Sequence, residues 1–418
     1  MSAWPRYLYT GLLTLLTPLA KKRLEREKVN ELSARQRAGH ISPCKQEVIW
    51  AHCASVGEVL AAEPLLRQLE QQYPGKQLVV TTMTATGAQQ VRQRLPEARH
   101  YLLPLDLPWN TDRFIHTLNP RLAIIFETEL WPNLIHSCKK MLVPVVIANG
   151  RLSAGAFDRY SKIRPLVAAC LQEVTAVAAK AEEDGQRFVA LGLPPERLQI
   201  SGSIKYDLQL PEGLIEEAEQ LKQTWSGRPV WIAGSTHEGE DLPLLKAHQQ
   251  LLENQPDTLL ILVPRHPQRF DAVAEMVREE GFSLARRSQG EEVTRSTQVY
   301  LADTLGEMLL LFAAADLAFV AGSLEPIGGH NLLEPAAVGT PVITGPHLHN
   351  FTEIAVLLRE AGALQEIESS QELPELLIKL WQEPQTTEAM QQAGRQVVAA
   401  NRGALEKQLQ LVQAYLQD

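Results

Sequence analysis

Cysteine is scarce in this sequence, which has only Cys44, Cys53, Cys138 and Cys170 in 418 residues. The four lie far apart and form no C-x-x-C pair, which argues against a disulfide framework and against a zinc site. The sequence also lacks a D-x-D motif and a His/Cys cluster at ligand spacing, so we predict no metal site and no cofactor. We expect the thiols to be small buried hydrophobes in a reducing compartment.

Positive charge is also in deficit, because 49 acidic residues outnumber 40 basic ones and leave a net charge of −9. A chain without an overall basic footprint is not expected to bind nucleic acid. The first 40 residues are the exception, since they hold eight basic and three acidic residues, a net +5 that leaves −14 for the rest. The N-terminal segment is therefore electrostatically distinct.

Long hydrophobic runs are missing, and the nearest approach to one is residues 11–20. The run follows Trp4, Tyr7 and Tyr9 and precedes Lys21-Lys22-Arg23. As a helix from Trp4 it would reach about 25 Å at about 1.5 Å per residue, short of a bilayer core of about 30 Å. Interfacial aromatics followed by basic residues predict a short membrane anchor or an interfacial helix, with the rest of the chain on the cytoplasmic side. The alternative is an ordinary helix packed on the domain.

What the sequence does contain is an alternation of apolar strand-like runs with helical patterns, such as Glu58–Gln72 and Thr86–Leu95. Continuous apolar runs are typical of strands buried on both faces of a parallel sheet, so we predict α/β architecture. The predicted strands are Glu47–Ala54, Gln77–Met83, Arg99–Asp106, Leu122–Glu127, Pro144–Gly150, Ala176–Ala181, Leu198–Ile204, Pro229–Thr236, Thr258–Arg265, Phe282–Arg287, Gln298–Thr304, Leu317–Ser323 and Pro341–Pro346.

Polar residues and a proline interrupt this alternation at Lys205–Gly213, which we interpret as a linker between domains. The predicted division is residues 1–30 for the N-terminal helix, 31–207 for a first domain and 208–418 for a second, whose end is helical. Because ligands bind at the carboxyl ends of parallel strands, the segments that follow each strand are the places to look for chemistry.

In the first domain, Ser55, Gly57 and Glu58 follow the first predicted strand. Glu58 could be a general base that accepts a proton from an attacking hydroxyl, or merely a first-turn acid with Ser55 as N-cap. Gly57 would allow close approach of another group to the backbone. Further candidates at strand ends are the acids Glu127 and Glu129 beside Trp131 and Pro132, and the anion ligand Arg151.

In the second domain, the candidates are residue types that bind anions and nucleotides. Ser235 and Thr236 end a strand and are expected to open a helix that holds a phosphate. Arg265 and His266 could clamp a phosphate or a base, although His266 could equally be a turn histidine. A Gly-rich loop is expected to lead into a helix beginning near Asn331 that holds a phosphate, with Glu334 suited to ribose hydroxyls. The candidates of that loop are Gly328, Gly329, His330, Asn331 and Glu334.

Seven motifs in order resemble those of the Kdo (3-deoxy-D-manno-octulosonic acid) transferases, glycosyltransferase family 30. The motifs are ASVGE (Ala54–Glu58), ETELWPN (Glu127–Asn133), NGRLS (Asn149–Ser153), GSIKYD (Gly202–Asp207), AGSTHEGE (Ala233–Glu240), VPRHP (Val263–Pro267) and GSLEPIGGHNLLEP (Gly322–Pro335).

The resemblance implies a GT-B fold, with two Rossmann-like domains facing a central cleft, and a location on the cytoplasmic face of the inner membrane. It implies metal-independent, inverting transfer of Kdo from CMP-Kdo to the lipid A precursor in lipopolysaccharide synthesis. By motif match, Glu58 is the general base and a second acid lies in ETELWPN, where Glu129 is favoured over Glu127. Arg265, Asn331 and Glu334 match CMP contacts.

Two alternatives remain open. One is another GT-B enzyme, such as a lipid A disaccharide synthase or a UDP-sugar epimerase, and the other is a non-catalytic lipopolysaccharide-binding relative. The sequence leaves open the number of Kdo residues added and whether His330 contacts the donor carboxylate or serves the loop.

Overall fold

The computed structural model describes residues 4–416, apart from the side chains of residues 19–25. The basic side chains of residues 21–23, on which part of the membrane prediction depends, therefore lie outside the described residues. The chain divides into two compact units, the first running to Asp207 and resuming at Asn401, and the second comprising Leu208–Ala400. Each unit contains one seven-stranded sheet.

The first unit is built on a parallel sheet with strand order β3-β2-β1-β4-β5-β6-β7. The order changes direction between β1 and β4, the place where open α/β sheets bind ligands. Glu58, in the first turn of the helix after β1, and Glu127, directly after β4, follow these two strands. Its strands are β1 (Val48–His52), β2 (Gln77–Thr82), β3 (Arg99–Leu102), β4 (Pro120–Phe126), β5 (Val145–Gly150), β6 (Ala176–Ala179) and β7 (Leu198–Ile200).

Helices cover both faces of this sheet, which is why β1, β5 and β6 are buried along their whole length. Buried apolar side chains form one cluster on each face, around Trp50 and around Leu65. The helices up to the linker are α1 (Trp4–Leu24), α2 (Ser33–Arg37), α3 (Val56–Gln72), α4 (Ala85–Arg94), α5 (Pro108–Leu118), α6 (Pro132–Lys140), α7 (Ala154–Ser161), α8 (Arg164–Leu171) and α9 (Glu182–Leu191).

The N-terminal helix α1 is fixed to the first unit through a buried polar group. The amide oxygen of Asn133 accepts from the guanidinium of Arg6 and from the hydroxyl of Thr10, each at 3.2 Å. The other face of α1 leaves large apolar side chains exposed, namely Trp4, Tyr7, Leu8, Leu12, Leu15 and Leu16. None of the helices within residues 4–416 is both long and apolar enough to cross a bilayer.

The second unit repeats the plan with a parallel sheet of order β10-β11-β9-β8-β12-β13-β14. Its strands are β8 (Val230–Thr236), β9 (Leu259–Pro264), β10 (Leu284–Arg286), β11 (Val299–Leu301), β12 (Leu317–Val320), β13 (Val342–Thr344) and β14 (Leu364–Glu366). Its helices are α10 (Leu214–Gln223), α11 (Asp241–Asn254), α12 (Phe270–Glu279), α13 (Met308–Ala314), α14 (Leu333–Val338), α15 (Thr352–Glu360), α16 (Leu373–Gln382) and α17 (Pro384–Ala400).

The last helix, α18 (Ala404–Gln413), belongs to the first unit, so the prediction of a domain running over residues 208–418 is wrong at its end. The carboxylate of Asp207 accepts from the backbone N–H groups of Gly403 (2.6 Å) and Leu405 (2.7 Å). The buried Gln408 accepts from the N–H of Asn149 at 2.9 Å. The apolar face of α18 completes the cluster around Leu65, which only tertiary contacts could reveal.

Every predicted strand is present, and most are shorter than predicted because loop residues after the last ladder bond had been counted as strand. The edge strand β14 was not predicted, because it has only three residues and only the first of them is a buried apolar residue.

Candidate active site

Glu58 lies at the start of α3, directly after β1, and its side chain folds back over the loop that precedes it. One carboxylate oxygen accepts from the N–H of Ala54 at 2.7 Å, and the other accepts from the hydroxyl of Ser55 at 3.1 Å. Ser55 is the N-cap of α3, since its hydroxyl accepts from the N–H of Glu58. Ser55 therefore has the N-cap role that the sequence allowed. Its hydroxyl and the N–H of Ala54 together hold the Glu58 carboxylate in one position.

The Glu58 side chain is nevertheless buried, and burial is the main reason that its pKa rises to about 7. The bond from Ala54 lowers the pKa, while the charges of Glu129 and Glu127 raise it further. A carboxyl that titrates near neutral pH can both accept and release a proton there, which is the requirement for a general base. We call Glu58, Glu127 and Glu129 the carboxylate cluster.

Glu127 and Glu129 occupy the loop between β4 and α6. Glu127 has a left-handed backbone with φ of 57°, and its carboxylate accepts from the ammonium of Lys180 at 3.2 Å. Burial raises the pKa of Glu129, and the neighbouring charge of Glu127 adds to this effect. The charges of both acids therefore act on Glu58, which is consistent with their position after β4, the strand that pairs with β1.

Lys180 is a functional candidate that the sequence analysis missed. Its side chain is only 5% exposed, and it follows β6 directly, so the same strand-end rule would have found it. A buried ammonium needs a partner, and Glu127 supplies it. Of the remaining predicted residues, Arg151 has an exposed side chain, and the backbone of Gly57 is open, since an added Cβ would meet only the Ser55 hydroxyl at 4.0 Å.

In the second unit, the prediction that Ser235 and Thr236 open a helix is wrong. They end β8, and α11 begins only at Asp241 after a turn. The hydroxyl of the buried Thr236 donates to the carboxylate of Asp241 at 2.6 Å, so its hydrogen serves a structural hydrogen bond rather than a ligand. Ser235 is half-buried with a left-handed φ of 64°.

Glu240, in that turn, is completely buried and was also missed by the sequence analysis. Its carboxylate accepts from the N–H groups of Gly322 (2.8 Å), Ser323 (3.0 Å) and Leu324 (3.0 Å), and from that of His237 (3.0 Å). Backbone N–H donors stabilise the buried charge and fix the loop after β12 against the loop after β8.

Three histidines meet at the ends of β8 and β9, and we call His237, His266 and His330 the histidine cluster. The Nε2 atoms of His237 and His330 are 2.8 Å apart, and their rings stack at 5.0 Å. His266 stands edge-on to His237 at 5.1 Å. At the Nε2 contact one ring must donate and the other accept, so the pair holds an N–H···N hydrogen bond.

Burial lowers the pKa of His330 to about 4, and the charges of His237, Arg265 and His266 lower it further. Burial likewise lowers the pKa of His237. Both rings are therefore neutral at pH 7, next to the exposed, positively charged Arg265. An anion placed here would meet one fixed cation and imidazoles able to take up protons.

The Gly-rich loop adopts a conformation that its two glycines require. Gly328 and Gly329 have φ of 109° and 80°, and a Cβ on Gly328 would collide with the side chains of His349 and Asn350. Glycine is therefore required at this position by packing of the Gly-rich loop against the segment that follows β13.

The helix expected near Asn331 begins two residues later, at Leu333, and has six residues. Asn331 precedes this helix, and its amide oxygen accepts from the N–H of Leu333 at 3.2 Å while its amide N–H donates to Glu334 at 3.1 Å. Burial raises the pKa of Glu334, while Asn331 and Arg265 lower it. Arg265, Asn331 and Glu334, which the family resemblance implied as a group, are thus close enough to interact.

Within residues 4–416, no three His, Cys, Asp or Glu side chains come close enough to hold a metal ion.

Comparisons with known proteins place the chain in a family. Residues 32–208 match the family "3-Deoxy-D-manno-octulosonic-acid transferase (kdotransferase)", and residues 241–397 match "Glycosyl transferases group 1". The chain is similar to the 3-deoxy-D-manno-octulosonic acid transferase of Haemophilus influenzae, with 43% identity over 99% of both chains. It is also similar to the enzyme of the same name from Bordetella pertussis, with 35% identity over 91% of this chain and 90% of that one.

A solved glycosyltransferase of Rickettsia africae shares the fold, with a TM-score of 0.54 at 14% identity over 90% of this chain and all of that one. The two parallel-sheet units are thus Rossmann-like domains of a GT-B glycosyltransferase, and the chain belongs to the 3-deoxy-D-manno-octulosonic acid transferase family.

Proposed function

We propose that this Kdo transferase moves Kdo from CMP-Kdo to a hydroxyl of the tetra-acylated lipid A precursor, with inversion at the anomeric carbon and without a metal ion. The observation that carries the proposal is the buried carboxyl of Glu58, whose pKa of about 7 suits it to accept the proton of an attacking hydroxyl.

The reaction is a single displacement. The acceptor oxygen forms a bond to the anomeric carbon while the bond from that carbon to the CMP phosphate breaks, and the bonding electrons leave with CMP. The hydroxyl proton passes to Glu58 and then to solvent. Because one displacement occurs on the face opposite the leaving group, the configuration inverts.

The second unit supplies groups suited to the donor. Arg265 and the histidine cluster can stabilise the phosphate and carboxylate charges of CMP-Kdo, and the departing CMP, by preorganised N–H donors. Glu334, which Asn331 orients, can accept hydrogen bonds from ribose hydroxyls. In this proposal His330 contacts an anionic part of the donor.

We also propose that the protein works at the cytoplasmic face of the inner membrane. The exposed apolar side chains of α1 and the net +5 charge of the first 40 residues suit an interface that carries anionic headgroups.

The test is to incubate detergent-solubilised full-length protein with lipid A precursor and CMP-Kdo generated in situ, in EDTA, and to read product masses. One added Kdo mass, or a ladder, supports the donor, the acceptor and metal independence together. No added mass despite CMP binding would exclude this acceptor. UDP binding in preference to CMP would favour another GT-B enzyme.

A further inference from the structure

A cavity of about 690 Å³ lies in the first unit between α1, α2 and the loop after β3, away from the carboxylate cluster itself. Its walls are mostly apolar, and it opens to solvent, because several of its lining residues are exposed. The lining includes Thr14, Pro18, Ala34, Leu105, Leu107 and Trp109.

Helix α1 forms one wall of the cavity. It is hydrogen-bonded to Asn133 through Arg6 and Thr10, and the cavity lies beneath its next turns, from Thr14 to Pro18. The hydroxyls of Thr14 and Thr17 donate to carbonyl oxygens of α1 itself, at 2.7 and 2.9 Å. These threonines are therefore satisfied and require no polar partner from an occupant.

The opposite wall leads to Glu58 through three hydrogen bonds. Arg37, which lines the cavity, donates to the carbonyl of Met83 at 2.6 Å. The N–H of Met83 donates to the carbonyl of Ala54 at 3.1 Å, and the N–H of Ala54 donates to Glu58 at 2.7 Å. One wall of the cavity is thus hydrogen-bonded, through Met83, to the loop that precedes Glu58.

The other candidate loop also adjoins the cavity. Leu105 and Leu107 line it, and between them the buried carboxylate of Asp106 accepts from the N–H groups of Asn133 (3.1 Å) and Leu134 (2.7 Å). Asn133 ends the segment that begins with Glu127 and Glu129. Both loops of the carboxylate cluster are therefore tied to cavity walls.

We propose that this cavity holds one acyl chain of the phosphorylated glycolipid acceptor and thereby positions the acceptor hydroxyl at Glu58. The inference rests on the proposed function, which supplies an acylated acceptor. Apolar walls suit an alkyl chain, and each buried methylene strengthens binding roughly fourfold. The exposed Lys28 among the lining residues, and the +5 charge of residues 1–40, suit the anionic headgroup of that lipid.

The first test fills the cavity with Ala34→Trp, and Ala399→Trp on the exposed face of α17 is the matched control. We expect Ala34→Trp to raise the KM for the tetra-acylated acceptor by roughly tenfold or more, as expected for two or more displaced methylenes at roughly fourfold each. For the same sugar backbone without acyl chains, both KM and kcat should stay unchanged. An equal loss with both acceptors would mean general damage to the site and would overturn the proposal.

The second test needs no turnover and so separates this inference from the proposed function. Trp109 lines the cavity and serves as the fluorescent probe. Its fluorescence is the difference between the full-length protein and the Trp109→Phe variant. It is measured with acceptor lipid that is brominated along one acyl chain. We expect quenching that Ala34→Trp abolishes. Quenching without any sugar transfer would leave the cavity assignment standing and refute the reaction. Equal quenching by brominated phosphatidylglycerol would mean that bilayer lipid fills the cavity, and no quenching would mean that it stays empty; either overturns the inference.

Discussion

The carboxylate cluster and the histidine cluster lie in units of the same architecture, each at the carboxyl ends of parallel strands, yet burial acts on them in opposite directions. It raises the pKa of Glu58 to about 7 and lowers that of His330 to about 4. In both cases the low-dielectric surroundings disfavour the charged form. One physical cause thus produces a base that titrates at neutral pH in the first unit and neutral imidazoles in the second.

Under the proposed function, the two units would therefore serve different steps of one reaction. A carboxyl with a raised pKa can accept a proton at neutral pH. Neutral imidazoles beside Arg265 can instead bind an anion and become protonated when it binds. The following predictions separate these roles, beginning with the largest effect.

Glu58→Gln should lower turnover by roughly 10²–10⁴-fold, because the amide keeps the shape of the side chain but cannot accept the proton. Binding of CMP, measured by calorimetry, should be unchanged. Glu63→Gln is the control, since Glu63 lies on the same helix and only pairs with Arg67 and Arg94 at the surface. Near-normal turnover of Glu58→Gln would remove this residue from the mechanism.

Arg265→Ala should weaken CMP binding by roughly 10–100-fold, the equivalent of about 1.5–3 kcal/mol for a hydrogen bond to a charged group. Arg278→Ala, a substitution of an exposed arginine in the same unit, should leave affinity unchanged. An Arg265→Ala protein that binds CMP normally would contradict a donor role for the second unit.

CMP binding should also be accompanied by proton uptake, because an anion beside His237 and His330 raises their pKa. The number of protons is obtained from binding enthalpies in buffers of different ionisation enthalpy. His330→Gln should reduce the uptake. Binding without proton exchange at pH 6 would mean that the histidine cluster does not face the anion.

The rate under saturating donor should fall as the pH drops through about 7, approaching tenfold per pH unit, because protonation removes the basic form of Glu58. Glu129→Gln removes a charge that raises the pKa of Glu58, so it should move the midpoint of the profile to lower pH. A midpoint that stays in place would show that Glu129 does not act on Glu58.

The smallest effect concerns the fold rather than either cluster. Asp207→Ala removes the acceptor of two N–H groups at the start of α18 and should destabilise the attachment of that helix by about 1–3 kcal/mol. Faster amide hydrogen exchange confined to α18 would reveal it, with the exposed Asp158→Ala as control.

Most of the strands and several candidate site residues could be predicted from local sequence patterns alone. Buried parallel strands read as continuous apolar runs, so every strand except β14 was predicted. The rule that ligands bind after strand ends selected Glu58, Glu127, Glu129 and Arg265 as candidates, and the Gly-rich loop added Glu334. These features depend on residues close together in the chain, where periodicity and local turn chemistry carry the information.

The remaining features arise from contacts between segments that are distant in sequence. These contacts attach α18 to the first unit through Asp207 and Gln408, and they use the side chains of Thr236 and Glu240 in structural hydrogen bonds. They also bring Lys180 to Glu127 and form an open cavity beneath α1. The pKa of Glu58 belongs to the same class, since desolvation depends on everything that packs around a carboxyl and not on its neighbours in sequence.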